Sequence, residues 1–363
     1  MKNHKLAGSL CALLLTALGA STAVAQTSTA PILVTRTIFR FDFTYGSQLY
    51  RVPPSGQNLT TLVPVRYGYD ILSSSWSPGG GSVVYELGRQ GSNRGLYAET
   101  QLYVVDRQGG AARQITTDDS DHLDPLWGPN GLIAYVTTSG HGQCLATVRA
   151  DGTNRHIVFC PHGESGESWS IAVTLSQWTP SGNGILLVAS APEGGLEPEK
   201  NYTDAYRVNV STGSAVKLTA QVFDDSEGDL VISPDRKHGV FAGGQMYLID
   251  FNTNLLTPLS ITGNDPVYSP DGSKIAFLHS DTVGGNPRIY IMRADGSNVH
   301  LAPAQTTNPD VYMPSISGWS SDGTQLLFNQ VGNNQWVRRI DLRNKTSRNV
   351  TNGVAGKHAW FLP

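Results

Sequence analysis

The chain has 363 residues, among them 39 glycines and 20 prolines, and only 15% of its residues are charged. Few charges and many turn formers argue against long, salt-bridge-laced helices and for short strands joined by tight turns. A net charge of −3 with no basic cluster argues against a nucleic-acid partner and gives no attraction to anionic lipid.

Lys2, His4 and Lys5 form a basic start, residues 6–18 an apolar run, and Ala23-Val24-Ala25 a small-residue exit before Gln26. That three-part pattern is a secretory signal peptide cleaved after Ala25. A membrane anchor would need about twenty apolar residues, and the run is shorter. Cys11 lies inside the run, where a lipidated cysteine would follow it. The expected organisation is a signal peptide over 1–25, a short linker over 26–31 and one repeat domain over 32–363. The expected location is the periplasm or the extracellular space, and the expected state a monomer.

Three strands come first, over 32–37, 48–52 and 58–63. A repeated signature then takes over, an aromatic residue followed by Ser or Gly, Pro and a small turn. It runs Trp76-Ser77-Pro78-Gly79-Gly80, Trp127-Gly128-Pro129-Asn130-Gly131 and Trp178-Thr179-Pro180-Ser181-Gly182. Ile232-Ser233-Pro234-Asp235, Tyr268-Ser269-Pro270-Asp271-Gly272 and Trp319-Ser320-Ser321-Asp322-Gly323 continue it, and Ala359-Trp360-Phe361 is a truncated last copy. The anchors are separated by 51, 51, 54, 36, 51 and 41 residues. After each comes a β-rich run such as Val83-Val84-Tyr85 or Ile275-Ala276-Phe277, then an alternating strand, a turn and a fourth run. Four antiparallel strands per repeat at this spacing make the blades of a propeller. The lone strand at 358–361 would join the three N-terminal strands in a composite seventh blade and remove two open edges. The expected fold is therefore an all-β, seven-bladed β-propeller. Trp76, Trp127, Trp178, Tyr268, Trp319 and Trp360 are its structural anchors, whereas Trp169 and Trp336 lie outside the anchor frame and are candidates for ligand contact.

Cys144 and Cys160 flank two alternating runs around an Asp151-Gly152 turn. In a hairpin about that turn, residues whose numbers sum to about 304 face one another, and this pair does. An oxidising compartment and this register predict a disulfide, against the alternative of two unpaired buried thiols.

Tyr268 to Phe277 (YSPDGSKIAF) followed by Ile289 to Gly296 (IYIMRADG) resembles the TolB-like family of propeller repeats. The resemblance spans nearly the whole chain after the signal peptide and implies the fold far more than a function, because this fold hosts many activities. TolB itself carries an α/β domain before its propeller, whereas here the first strand follows almost directly on the signal peptide.

Acidic residues recur just before the anchors. Asp124-Pro125 and Asp265-Pro266 match in frame, and Asp229 has the same offset from Ile232. Asp118, Asp119, Asp121 and His122 share one loop, and Asp224, Asp225 and Glu227 another. If the anchor strand is innermost, Asp121, His122, Asp124, Glu227, Asp229 and Asp265 ring one mouth of the central channel. Converging carboxylates suit Ca²⁺ or a basic segment of a partner, and aspartate equally caps turns. No catalytic signature is present: no Gly-x-Ser-x-Gly, no His-Glu-x-x-His, no phosphate-cradling loop. The expected function is a binding or scaffold module of the cell envelope or exterior for a protein, peptide or glycan, with no cofactor other than Ca²⁺. The alternative is a metal-assisted carbohydrate-active lyase or hydrolase, because some TolB-like propellers resemble pectic-oligosaccharide lyases that hold a metal through histidines. His122, His141, His162 and His358 are the candidate ligands for that reading, but they sit in different repeats without a shared offset.

Overall fold

A computed structural model describes residues 31–352, apart from 42–43, 54–55, 57, 92–96, 140–141, 162–171, 193–200, 220–228, 284, 306–311 and 332–334. Among these residues the chain forms strands and turns and no α-helix. The N-terminal sheet has the order β1 (Ile32–Phe39), β2 (Tyr45–Val52), β3 (Thr60–Val63). The first repeat is β4 (Tyr69–Trp76), β5 (Ser82–Gln90), β6 (Tyr97–Asp106) and β7 (Arg113–Gln114). The second is β8 (His122–Trp127), β9 (Leu132–Ser139), β10 (Gly142–Arg149) and β11 (His156–Phe159). The third is β12 (Ala172–Trp178), β13 (Gly184–Pro192), β14 (Asn201–Asn209) and β15 (Ala215–Lys217). The fourth and fifth share one sheet of β16 (Asp229–Ile232), β17 (His238–Asp250), β18 (Leu255–Tyr268), β19 (Lys274–His279), β20 (Arg288–Arg293) and β21 (His300–Leu301). The sixth is β22 (Tyr312–Trp319), β23 (Gln325–Val331), β24 (Gln335–Asp341) and β25 (Thr346–Asn352).

Seven separate sheets were expected; the described residues form six, of which five have four strands or more. The cause is the short interval of 36 residues between Ile232 and Tyr268. It leaves no room for a loop between two repeats. The single strand β18 therefore pairs with β17 from Leu255 to Gly263 and with β19 from Asn264 to Tyr268. Phe251 N donates to Lys237 O at 2.8 Å, as Ala294 N does to Ser273 O and Leu342 N to Thr324 O at 2.9 Å in the next two repeats. This bond closes the second and third runs of a repeat on each other, so β17 folds back around Gly243-Gly244. The expected closing strand at 358–361, with Trp360, lies outside the described residues, as do residues 1–30, where a signal peptide is expected.

The signature turn has a local cause. Ser269 Oγ donates to Asp271 Oδ1 at 2.6 Å and accepts from Lys274 N at 2.9 Å, while Gly272 supplies a φ of 71°. Ser320 and Asp322 repeat the arrangement at 2.6 Å. Serine and aspartate hold the backbone of the turn, and glycine takes the left-handed position without strain.

Packing between sheets places the core. Leu33, Leu49 and Leu62 of the N-terminal sheet pack on Trp76 and Val83 of the first repeat. Ile32, Val34 and Val52, on its other face, pack on Leu327, Val337 and Val350 of the sixth. Trp178 joins the cluster between the second and third repeats, Tyr268 that between the fourth and fifth, and Trp319 that between the fifth and sixth. Trp178 Nε1 donates to Leu126 O and Trp319 Nε1 to Val267 O, both at 3.0 Å, so each ring is bonded to the inner strand of the preceding repeat. Gly128 makes room for this: a Cβ there would lie 2.5 Å from Cε2 of Trp178. Trp127 differs from the other anchors in being half-buried. Cys144 and Cys160 form a disulfide with a Cα–Cα distance of 4.3 Å, in a hairpin whose register pairs Leu145 with Phe159.

Candidate functional site

The first strand of each repeat is the innermost one. Ser75, Trp127, Thr174, Asp229, Val267 and Ser317, one from each repeat, line a common central channel of ≈ 620 Å³. These strands open at the same end, so His122, Asp229 and the segment of β18 entered at Asn264 stand at one mouth.

The geometry separates the candidate residues. Asp124 and Asp265 have φ of 47° and 50°, the left-handed conformation that aspartate tolerates better than most residues. Each lies in a β-bulge: the register jumps from Leu123 to Leu126 against Val136 and Ala134, and from Asn264 to Val267 against Leu278 and Ala276. The following proline has no N–H for the ladder, which suits it to a bulge. Their matched offset therefore has a backbone cause. Asp265 accepts a hydrogen bond from Ile316 N of the sixth repeat. Asp121 Oδ1 accepts from Thr100 N and Thr100 Oγ1 at 3.1 Å each, tying the second repeat to the first.

His122 is buried. Its Nε2 lies 2.7 Å from Asp118 Oδ1 and its Nδ1 3.2 Å from Thr137 Oγ1. Burial holds its pKa below the ordinary value, outweighing Asp118, so the contact is a hydrogen bond of a neutral ring more than an ion pair. Asp118 instead pairs with Arg155 at 2.5 Å. Asp229 has an exposed carboxylate and lines the channel. Glu227, Trp169, His141, His162 and His358 lie outside the described residues, and Trp336 is half-buried on β24. Among the described residues no group of three His, Cys, Asp or Glu side chains stands close enough to hold a metal ion.

Sequence reading missed Glu86. It is 2% exposed on β5, and its Oε2 accepts from Asp124 N at 2.9 Å and Ser73 Oγ at 3.3 Å. Burial pushes its carboxyl up to about 8. The signal was present as one acid inside the apolar run Val83-Val84-Tyr85-Glu86-Leu87.

These features define an all-β protein of antiparallel blades in a propeller arrangement around a lined channel. No protein-family model matches the chain. Over 168 residues, 46% of the chain, it is 27% identical to a Bacillus subtilis protein named uncharacterized peptidase YuxL; the chain spans only 21% of that relative's length. Among solved structures, an oligogalacturonate lyase in complex with manganese matches with a TM-score of 0.60 at 13% identity, over 88% of this chain and 85% of that one. The β-propeller domain of the Trilobed protease from Pyrococcus furiosus matches with a TM-score of 0.58 at 11% identity, over 89% and 97%. A Mycobacterium tuberculosis puromycin-hydrolyzing peptidase matches with 0.60 at 12%, over 91% of this chain and 54% of that one. At such identities the structural likeness is one of fold.

Proposed function

We propose that the protein is an exported TolB-like propeller that holds a basic peptide segment of a partner at the mouth of the central channel. The observation that carries this reading is the channel lining, which includes the exposed Asp229 and the half-buried Trp127. A carboxylate and an indole together suit the ammonium or guanidinium of a lysine or arginine side chain. Asp124, exposed on β8 near the end that His122 opens, adds a second negative charge. The peptidase name of the 27% identical relative agrees with a peptide as the ligand class. Export rests on the signal-peptide pattern of residues 1–25, and secreted protein should begin at Gln26.

The same proposal includes seven blades, with the shared sheet counted as two and residues 358–361 completing the N-terminal sheet. Seven hydrophobic clusters support this count, each between neighbours around a ring that runs from the N-terminal sheet through the sixth repeat and back.

The double substitution Asp124→Asn with Asp229→Asn tests the site. Asparagine also tolerates the left-handed conformation at 124, so folding should be retained. Fluorescence anisotropy with a labelled Lys/Arg-rich peptide should show binding to the wild type and roughly tenfold weaker binding to the variant. Equal affinity of the two proteins would retire the channel mouth as the site.

A further inference from the structure

A second surface at the same end has the opposite character. The guanidinium carbon of Arg40 lies 3.6 Å from the ring centroid of Tyr67, and that of Arg66 lies 3.6 Å from that of Tyr69. A guanidinium over a ring loses water from one face and can still turn N–H donors outward at its edge, a good arrangement for carboxylate; Arg66 spends part of that edge on the side chain of Tyr103. Neither arginine takes part in an ion pair among the described residues. Beside them Phe41 is 107% exposed, Phe39 71% and Tyr45 38%, and the rings of Phe39 and Tyr45 are 5.6 Å apart. Exposed rings that pack on one another, as Phe39 and Tyr45 do, mark an interaction surface more than scattered apolar residues do.

The 66–70 side of the surface is tied to the start of β2. Gly68 N donates to Tyr45 O at 2.9 Å, joining the 66–69 segment to the end of the β1–β2 hairpin. Gly46 packs so closely there that a Cβ would lie 2.3 Å from Arg66 O. Beneath, the buried carboxylate of Asp70 accepts from Ser47 Oγ at 2.7 Å and Gln90 Nε2 at 2.8 Å. Rings and guanidinia on such a tied platform bind with little ordering cost.

We propose that this platform, Phe39, Arg40, Phe41 and Tyr45 with Arg66 and Tyr69, docks an acidic segment of a protein partner. Charge complementarity selects the occupant: two guanidinia call for carboxylates, and the exposed phenylalanines call for apolar side chains between them. None of these side chains is an amide or a carboxylate, so the set reads charge and apolar surface more readily than sugar hydroxyls. Tyr69 opens β4, the inner strand of the first repeat, so the platform stands at the same mouth as Asp229 but on another side. The inference does not depend on what the channel holds.

The test uses a short fluorescein-labelled peptide alternating glutamate with leucine and phenylalanine, and the same peptide with lysine for glutamate. Anisotropy should show binding of the acidic peptide alone, weakening with added salt. The double substitution Arg40→Gln with Arg66→Gln should weaken it roughly tenfold or more. Phe41→Ser, at a fully exposed position that leaves folding untouched, should weaken it too, whereas Asp124→Asn with Asp229→Asn should not. Unchanged binding in the arginine variant would overturn the proposal. So would a preference for oligogalacturonate over the peptide, or concentration-dependent dimers that Phe41→Ser abolishes, which would assign the surface to an anionic glycan or to a second copy.

Discussion

Replacing Glu86 by glutamine removes one titrating group while keeping an acceptor for the N–H of Asp124, 2.9 Å away. In the folded protein burial raises this carboxyl from its ordinary value of 4.5 to about 8. Between those values the folded state holds a proton that the unfolded chain releases, so stability falls as pH rises. The contribution is fully present below pH 4.5 and is lost as pH passes through about 8. The slope is at most about 1.4 kcal/mol per pH unit, which over that interval sets a ceiling near ~5 kcal/mol. Solvent access and relaxation of the site will keep the measured figure below it.

His122 works in the other direction, because its lowered pKa removes stability as pH falls below 6.5. The readout is therefore the difference between wild type and Glu86→Gln, in which His122 cancels. Urea unfolding at a series of pH values from 5 to 8, read by intrinsic fluorescence, should give a variant that gains on the wild type steadily with pH. Parallel profiles for the two proteins would refute the assignment of Glu86 as a buried, proton-holding carboxyl.

Trp178→Phe should cost about 1–3 kcal/mol, because it strands the buried Leu126 carbonyl that now accepts from Nε1, whereas Tyr268→Phe should be neutral within about 0.5 kcal/mol. The Tyr268 hydroxyl is buried with no hydrogen-bond partner among the described residues, so chemical denaturation that ranked the two the other way round would contradict the packing. Reducing the Cys144–Cys160 bond, which spans 16 residues, should destabilise by less than the ~3 kcal/mol of the chain-entropy figure, since the register of β10 and β11 already holds the hairpin. Differential scanning calorimetry with and without reductant measures this. On the proposed closure, deleting residues 358–363 should lower the melting temperature sharply and promote aggregation through the exposed edge of the N-terminal sheet. Melting like the full chain would place the closure elsewhere.

The repeating part of this fold was legible because its causes are local. Ser-Pro-Asp-Gly is a turn wherever it occurs, and the Asp151-Gly152 turn set the register that joins Cys144 to Cys160. The shared sheet left a trace as well, in the interval of 36 residues, but one long strand reads like two short ones when only apolar alternation is followed. The site was less legible because it depends on partners distant in sequence. Asp124 and Asp265 repeat for a reason visible only once the opposing strand is known, namely a bulge that needs a left-handed residue. Asp121 is held by Thr100, and no spacing rule connects them.

Glu86 shows where the repeat gives way. Counting from the partner of each anchor, it occupies the place that Val136, Val188, Ala242 and Leu278 hold in four other repeats and Asn329 holds in the sixth. The first four side chains are buried and apolar, and the buried Asn329 donates to Ser315 and Ser317 within its own repeat, whereas Glu86 is an acid that reaches another repeat. In the first repeat the bulge lies one residue further from the anchor, at Leu72 and Ser73, so that Glu86 stands opposite it. From there its carboxyl crosses to the second repeat and holds the backbone N–H of the exposed Asp124. An apolar residue at 86 would pack better and leave that N–H without this acceptor. The displaced bulge and the buried acid thus set the seam between the first and second repeats apart from the seams that apolar contacts alone close.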